Sequence, residues 1–123
     1  GQVLLVKEKL DGGYSLPGGW CDFYDSPSVA AIRECEEEAG AIVKIKRLVG
    51  VLNRTPFKNK ISVPEYVIIF EAELLKPLKG HDHEISEVHF FDVNKLPNFS
   101  NKVSGPEMKK IIKSAQKGDV IYD

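Results

Sequence analysis

Residues 18–41 read GGWCDFYDSPSVAAIRECEEEAGA and place four glutamates, Glu34, Glu36, Glu37 and Glu38, within five positions. Ser26 followed by Pro27 is a helix-start signature: the hydroxyl caps free N–H groups, and the missing N–H of proline costs nothing at the first helical position. Gly40 supplies the stop. The stretch predicts a helix over about Pro27–Ala39, with Val29, Ile32, Cys35 and Ala39 recurring at spacings of three and four as an apolar stripe. Glu37 and Glu38 lie three and four positions after Glu34, so the three converge on one patch, with Cβ atoms about 5–6 Å from that of Glu34. Glu36 lies on another face.

Like charges at this spacing destabilise a helix by roughly a few tenths of a kcal/mol per pair, and Arg33, four before Glu37, offsets only part of that. The cluster calls for a cation. Carboxylate oxygens suit hard divalent ions such as magnesium, manganese or calcium, and not zinc. An acidic run taken alone is most often a solvated helix face; the sequence around this one points to a site.

The chain of 123 residues fits one domain with one continuous core. Its 42% hydrophobic and 28% charged content is that of a soluble globular protein. A formal charge of −1 gives no electrostatic argument for nucleic-acid or membrane partners, and neither is expected. No apolar run reaches transmembrane length, and no signal peptide is visible. Cys21 and Cys35 are the two cysteines; Cys35 lies on the apolar stripe and reads as a buried free thiol, which suggests a reducing, cytoplasmic setting.

Residues 3–7 (VLLVK) read as a largely buried strand that begins abruptly, so a preceding strand or segment is expected to be missing. Asp11-Gly12-Gly13 is a hairpin signal, returning through Tyr14-Ser15-Leu16 to the Pro17-Gly18-Gly19 loop. Residues 41–53 are β-rich, 54–62 form a polar loop around Pro56, and 66–72 (YVIIFEA) read as a central strand. A second polar loop covers 76–85, a strand 87–92, and a short amphipathic helix 106–117 through Met108, Ile111, Ile112 and Ala115. Strands flanking one central helix, with a second helix late, argue an α/β domain with a mixed sheet between helices.

In register, Gly19, Arg33, Glu34, Glu37, Glu38 and Gly40 resemble the signature of the Nudix hydrolases: Gly, five residues, Glu, seven residues, Arg-Glu, an aliphatic, any residue, Glu-Glu, any residue, Gly, an aliphatic. Asp25 stands where that pattern has Glu, while Cys35 and Ala41 fill aliphatic slots. The resemblance extends to Leu16-Pro17-Gly18-Gly19-Trp20, to residues 84–91 (EISEVHFF) and to Leu96-Pro97. Trp20 and the run Asp22-Phe23-Tyr24-Asp25-Ser26-Pro27 are similar to a bacterial subgroup that hydrolyses ADP-ribose or CDP-choline and carries an extra N-terminal segment. Pro56, fifteen positions after Ala41, is a weaker resemblance to the ADP-ribose class.

The resemblance implies a Nudix-type α/β/α sandwich with a mixed central sheet, spanning residues 1–123 as a single domain, and Mg²⁺-dependent hydrolysis of a pyrophosphate bond, with Mn²⁺ as the alternative ion. It implies Glu34, Glu37, Glu38 and the backbone carbonyl of Gly18 as metal ligands, and Arg33 as a residue that orients Glu37 or Asp25. Glu84 is the candidate general base, with Glu87 second and Glu34 serving in other members. His81 and His83 read as solvated and His89 as structural. Trp20, Tyr24, Phe23, Arg54 and Phe57 are candidates to stack on a base or hold a terminal phosphate.

The substrate expected first is ADP-ribose and second CDP-choline, releasing a nucleoside monophosphate, with a homodimer as the assembly. The rival readings are a nucleoside triphosphate or RNA 5′-end pyrophosphohydrolase and a non-catalytic nucleotide sensor. The intact trio Glu34, Glu37 and Glu38 speaks against the sensor, as does the lack of a basic helix for DNA in this reading of the sequence.

Overall fold

A computed structural model of the chain describes residues 1–54, 65–80 and 84–123. Its elements run β1 (Gln2–Glu8), β2 (Tyr14–Ser15), α1 (Pro27–Ala39), β3 (Val43–Asn53), β4 (Tyr66–Leu74), β5 (Ile85–Asp92), α2 (Gly105–Lys117) and β6 (Ile121–Tyr122). Pro56, Phe57, His81 and His83 lie outside the described residues.

The strands pair as two sheets. β1 is the centre of an antiparallel sheet ordered β2-β1-β5, and β3 is the centre of a mixed one ordered β4-β3-β6, antiparallel to β4 and parallel to β6. Together with the two helices they form an α/β/α sandwich of the expected class, the mixed pairing lying in the second sheet. β6 has only two residues, too few for any periodicity to reveal it.

Local chemistry sets the bounds of α1. The Ser26 hydroxyl accepts the Val29 N–H at 3.4 Å, and Pro27 opens the helix. At the other end Gly40 adopts a left-handed conformation with φ 65°, its N–H bonding to Glu36 O at 3.0 Å while the Ala41 N–H bonds to Cys35 O at 3.1 Å. A second constraint acts on Gly40, because a Cβ there would stand 1.7 Å from the carbonyl oxygen of Gly80. The Lys79 N–H donates to Gly40 O at 2.9 Å, so residues 79–80 cross directly over the helix end.

One core cluster joins Val6 and Ile85 of the first sheet to Ala39 and Ala41 at the end of α1, with Cys35, Val43 and Val88 packed around it. The other joins Val49 and Leu52 of β3 to Ile111 of α2, with Leu16 and Ala115 at its margin. Arg47 fastens α2 to β3: its guanidinium donates to the Ser114, Ala115 and Asp119 carbonyls at 3.0–3.3 Å and pairs with Glu71 at 2.9 Å. The free carbonyls at the end of α2 thereby gain a cationic donor. Anchoring the last turns of both helices holds the outward face of α1 at a fixed place over the loop that precedes it.

Candidate active site

That loop lies back along the acidic face of α1. The Gly18 N–H donates to Glu38 Oε1 at 3.1 Å. One turn earlier Gly19 passes so close that a Cβ would lie 2.6 Å from Glu34 Oε2, so any larger residue there would push the Glu34 carboxylate from its present place. Next, the Trp20 carbonyl accepts Arg33 Nη2 at 3.5 Å. Three successive loop residues thus run antiparallel to positions 38, 34 and 33 of the helix, and the missing Cβ of Gly19 is what leaves room for the Glu34 carboxylate.

Arg33 ties the acidic groups together. Its Nη1 bonds to Asp25 in a very short contact and lies 3.5 Å from Asp22, while Nη2 is 3.7 Å from Glu34 and Nε 3.9 Å from Glu37. Asp25, shorter by one methylene than the Glu of the pattern it resembles, still reaches the guanidinium. Asp22 is a partner that the sequence reading missed; the spacing Asp22, Asp25 ahead of the helix cap was its only signal.

Glu34 is part-buried and Glu37 exposed. Burial, followed by the charge of Glu37, raises the Glu34 carboxyl above its ordinary value, and Arg33 opposes the shift. Among the described residues no three acidic, histidine or cysteine groups close around a common point as a metal cage. The physical reason is visible: Glu38 is turned to the Gly18 N–H and Glu34 leans towards Arg33. The donor set nonetheless suits a hard divalent cation, being carboxylate oxygens with one of them desolvated beside a second negative charge. Glu36, on the other face, pairs instead with Lys79 at 3.2 Å.

The two base candidates occupy different surfaces. Glu84 stands at the entry to β5, its carbonyl accepting the Lys9 N–H at 3.1 Å, immediately before the Ile85 that packs on Ala39. Glu87 does not share that face: Val88 packs towards α1, so its neighbour points to the opposite side of the sheet. There Glu87 bonds to Lys7 at 3.0 Å and His89 at 2.8 Å, and His89 first, then Lys7, holds its carboxyl below the usual range. An acid so paired, on the far face, is separated from Glu34, Glu37 and Glu38. His89 thereby has a structural partner.

The aromatic candidates are solvent-facing. Trp20 is 68% and Tyr24 95% exposed, and Tyr24 packs edge-on against Phe23 with ring centroids 4.4 Å apart, its backbone in the left-handed region at φ 74°. Arg54 is elsewhere, at the end of β3, where Nη2 donates to the Lys102 carbonyl at 2.5 Å.

Against known proteins, the NUDIX domain family matches residues 1–114. An ADP-ribose pyrophosphatase of Methanocaldococcus jannaschii is 34% identical over 80% of this chain, and the chain spans 59% of its length. A Bacillus subtilis (strain 168) relative is 32% identical over 90% of this chain, which spans 54% of it; the chain therefore covers somewhat more than half of these curated relatives. Among solved structures, a UDP-X diphosphatase superposes with a TM-score of 0.83 at 27% identity, covering 98% of this chain and 60% of that one. An ADP-ribose pyrophosphatase from Streptococcus suis 89-1591 superposes with a TM-score of 0.77 at 29% identity, covering 98% of this chain and 88% of that one. With nearly its whole length matched by the family and its fold shared with these structures, the chain belongs to the NUDIX domain family.

Proposed function

We propose that this chain hydrolyses the pyrophosphate bond of a nucleoside diphosphate linked to a second group, ADP-ribose first and CDP-choline second, with Mg²⁺ or, alternatively, Mn²⁺ as cofactor. The observation that carries the reading is the single face on which Arg33 and the Gly18–Gly19 backbone gather Glu34, Glu37 and Glu38. The names of the Methanocaldococcus and Streptococcus relatives support ADP-ribose as the first choice.

Glu34, Glu37 and Glu38, with the Gly18 carbonyl, are the groups that would hold the ion. When bound, it neutralises the diphosphate oxygens, acidifies water and aligns attacking and leaving groups. Arg33 is a positioning residue: it holds Glu34 and Glu37 by charge while Asp22 and Asp25 hold it. Glu84 takes the proton of the attacking water. The water oxygen bonds to one phosphorus, the bond from that phosphorus to the bridging oxygen breaks, and a nucleoside monophosphate and a phosphorylated remainder leave. Trp20 and Tyr24, exposed beside this face, stack on the base, and Arg54 with Phe57 takes the other end of the substrate.

The reading includes a single catalytic domain over residues 1–123, a cytoplasmic setting and a homodimer. The free Cys21 and Cys35 support a reducing compartment. The exposed Tyr66, Ile68 and Leu74 on β4, an edge strand of the described residues, support self-association. Among the described residues no helix is long and apolar enough to cross a membrane.

The test is a screen of the purified protein with Mg²⁺ against ADP-ribose, CDP-choline, UDP-linked sugars, diadenosine polyphosphates and nucleoside triphosphates. Release of AMP from ADP-ribose at the highest kcat/KM is the expected result. Preferred release of pyrophosphate from a triphosphate, or no turnover of any of them, overturns the reading.

A further inference from the structure

Tyr24 is the one non-glycine residue with a positive φ among the described residues, at 74°. It is the third residue of a hydrogen-bonded turn, in which the Asp25 N–H donates to the Asp22 carbonyl at 3.0 Å. Tyr24 is left-handed and Phe23 before it is not, the pattern of a type II turn, whose third position takes glycine or asparagine because most side chains are strained there. Burial of the ring does not offset that strain: Tyr24 is 95% exposed, and Phe23, its edge-on partner, is 84% exposed.

The ends of the turn supply what the ring does not. Asp22 and Asp25, its first and fourth residues, both meet Arg33 Nη1, Asp25 in a very short hydrogen bond and Asp22 at 3.5 Å, while the Trp20 carbonyl accepts Nη2 at 3.5 Å. A strained backbone persists where its surroundings fix it, and here three groups of one loop are fixed through a single guanidinium. On its other side Arg33 stands 3.7 Å from Glu34 and 3.9 Å from Glu37, close enough for charge attraction and too far for a hydrogen bond. One guanidinium is therefore shared by four carboxylates, two on the turn and two on the helix. Released from the turn, it would close on the helix pair, because a guanidinium forms its strongest hydrogen bonds to carboxylate oxygens. Glu34 and Glu37 would then be sealed against a cation.

We propose that the Asp22–Asp25 turn, held in its strained form at Tyr24, is a positioning device that draws Arg33 off Glu34 and Glu37 and so keeps those two carboxylates open to a divalent ion. The inference rests on the function proposed above and gives the backbone of Tyr24 a task separate from that of its ring. Tyr24 acts through Asp22 and Asp25 on Arg33, and touches neither ion nor reacting atoms in this role.

Four variants test it: Tyr24→Gly, Tyr24→Asn, Tyr24→Ala and Tyr24→Val. All remove the ring and none changes a charge, so they differ only in backbone preference: glycine and asparagine accept the left-handed conformation, alanine resists it and β-branched valine resists it most. Mg²⁺ binding is measured by calorimetry without substrate, with folding checked by circular dichroism. Tyr24→Val is expected to bind Mg²⁺ about tenfold more weakly than the wild type, as for loss of a group that orients a metal ligand. Tyr24→Ala should fall between, and Tyr24→Gly and Tyr24→Asn should match the wild type. In an Arg33→Gln background, where no guanidinium can seal the pair, Tyr24→Val and Tyr24→Gly should be alike. Equal Mg²⁺ affinity across the four single variants, or between Tyr24→Gly and Tyr24→Ala should valine not fold, overturns the inference and leaves the proposed function standing. A wild type that binds no Mg²⁺ overturns both.

Discussion

Two cysteines and one aspartate show how far residue identity alone reaches. Cys35 sits on the apolar stripe that spacing predicts, and burial lifts its thiol to about 11, followed by the charges of Glu38 and Glu34. Cys21 is exposed. Brief treatment with iodoacetamide at neutral pH is therefore expected to label Cys21 alone, with Cys35 modified only after denaturation; equal labelling of both in the native protein, read by mass spectrometry, contradicts the packing. Asp11 was legible only as a turn residue. In the structure it takes the Gly13 N–H at 2.8 Å and also the Ser100 hydroxyl and Asn101 N–H, joining the β1–β2 hairpin to a segment nearly ninety positions away. The Gly13 N–H, then that of Asn101, then the Ser100 hydroxyl hold its carboxyl below 3.8. The folded state thus binds the ionised form more tightly. Its stabilisation is complete above 3.8 and is lost as pH falls through the lowered value. Asp11→Asn should lower Tm at neutral pH by an amount that closes in acid below 3.8, and a difference that stays constant with pH contradicts this role.

Elements were legible where their ends are chemically marked. α1 begins and ends where Ser26, Pro27 and Gly40 say, because caps act within a turn. The β1–β2 hairpin follows from Asp11-Gly12-Gly13 for the same reason. What failed to show was the face a strand presents after an irregularity: alternation sets Glu87 opposite Val88, but the register of β1 on β5 shifts between Lys7 and Glu8, and nothing in the string puts Ile85 on the same side as Val88. Long-range polar pairs such as Glu8–Lys102, and the Gly18 N–H on Glu38, are products of tertiary packing and have no local signal. Gly40 combines both kinds of constraint, a cap conformation readable from sequence and a close approach of Gly80 that is not. Gly40→Ala is accordingly expected to cost more than the ~1–2 kcal/mol of a left-handed alanine, about 3 kcal/mol or more, because a backbone oxygen must also move. Urea denaturation checks it; a cost below about 1 kcal/mol would show that residues 79–80 are not packed there.

At the scale of the whole molecule, the two sheets and two helices of the described residues present one loop to one helix face. Arg47 locks α2 onto β3 and the Val6, Ile85 and Ala39 cluster locks α1 onto β1 and β5, so the acidic face is held while the connections around it remain free to differ. That division explains why the family was legible from residues 19–41 while the substrate was not: the family signature is a matter of local spacing, whereas Arg54, the described candidate for the far end of the substrate, finds its partner 48 residues away at the Lys102 carbonyl, a contact with no local signal. The central claim is that Glu34, Glu37 and Glu38 form a divalent-metal site for pyrophosphate hydrolysis. Glu37, the exposed member of the three, can be changed with least disturbance to packing. The most direct measurement is the Mg²⁺ dependence of AMP release from ADP-ribose by the wild type and by Glu37→Gln, with folding checked by circular dichroism. Turnover that needs Mg²⁺ and falls about 100-fold or more in the variant, with the half-saturating Mg²⁺ concentration raised, is the predicted result; undiminished turnover by Glu37→Gln, or wild-type turnover that persists in EDTA, would contradict it.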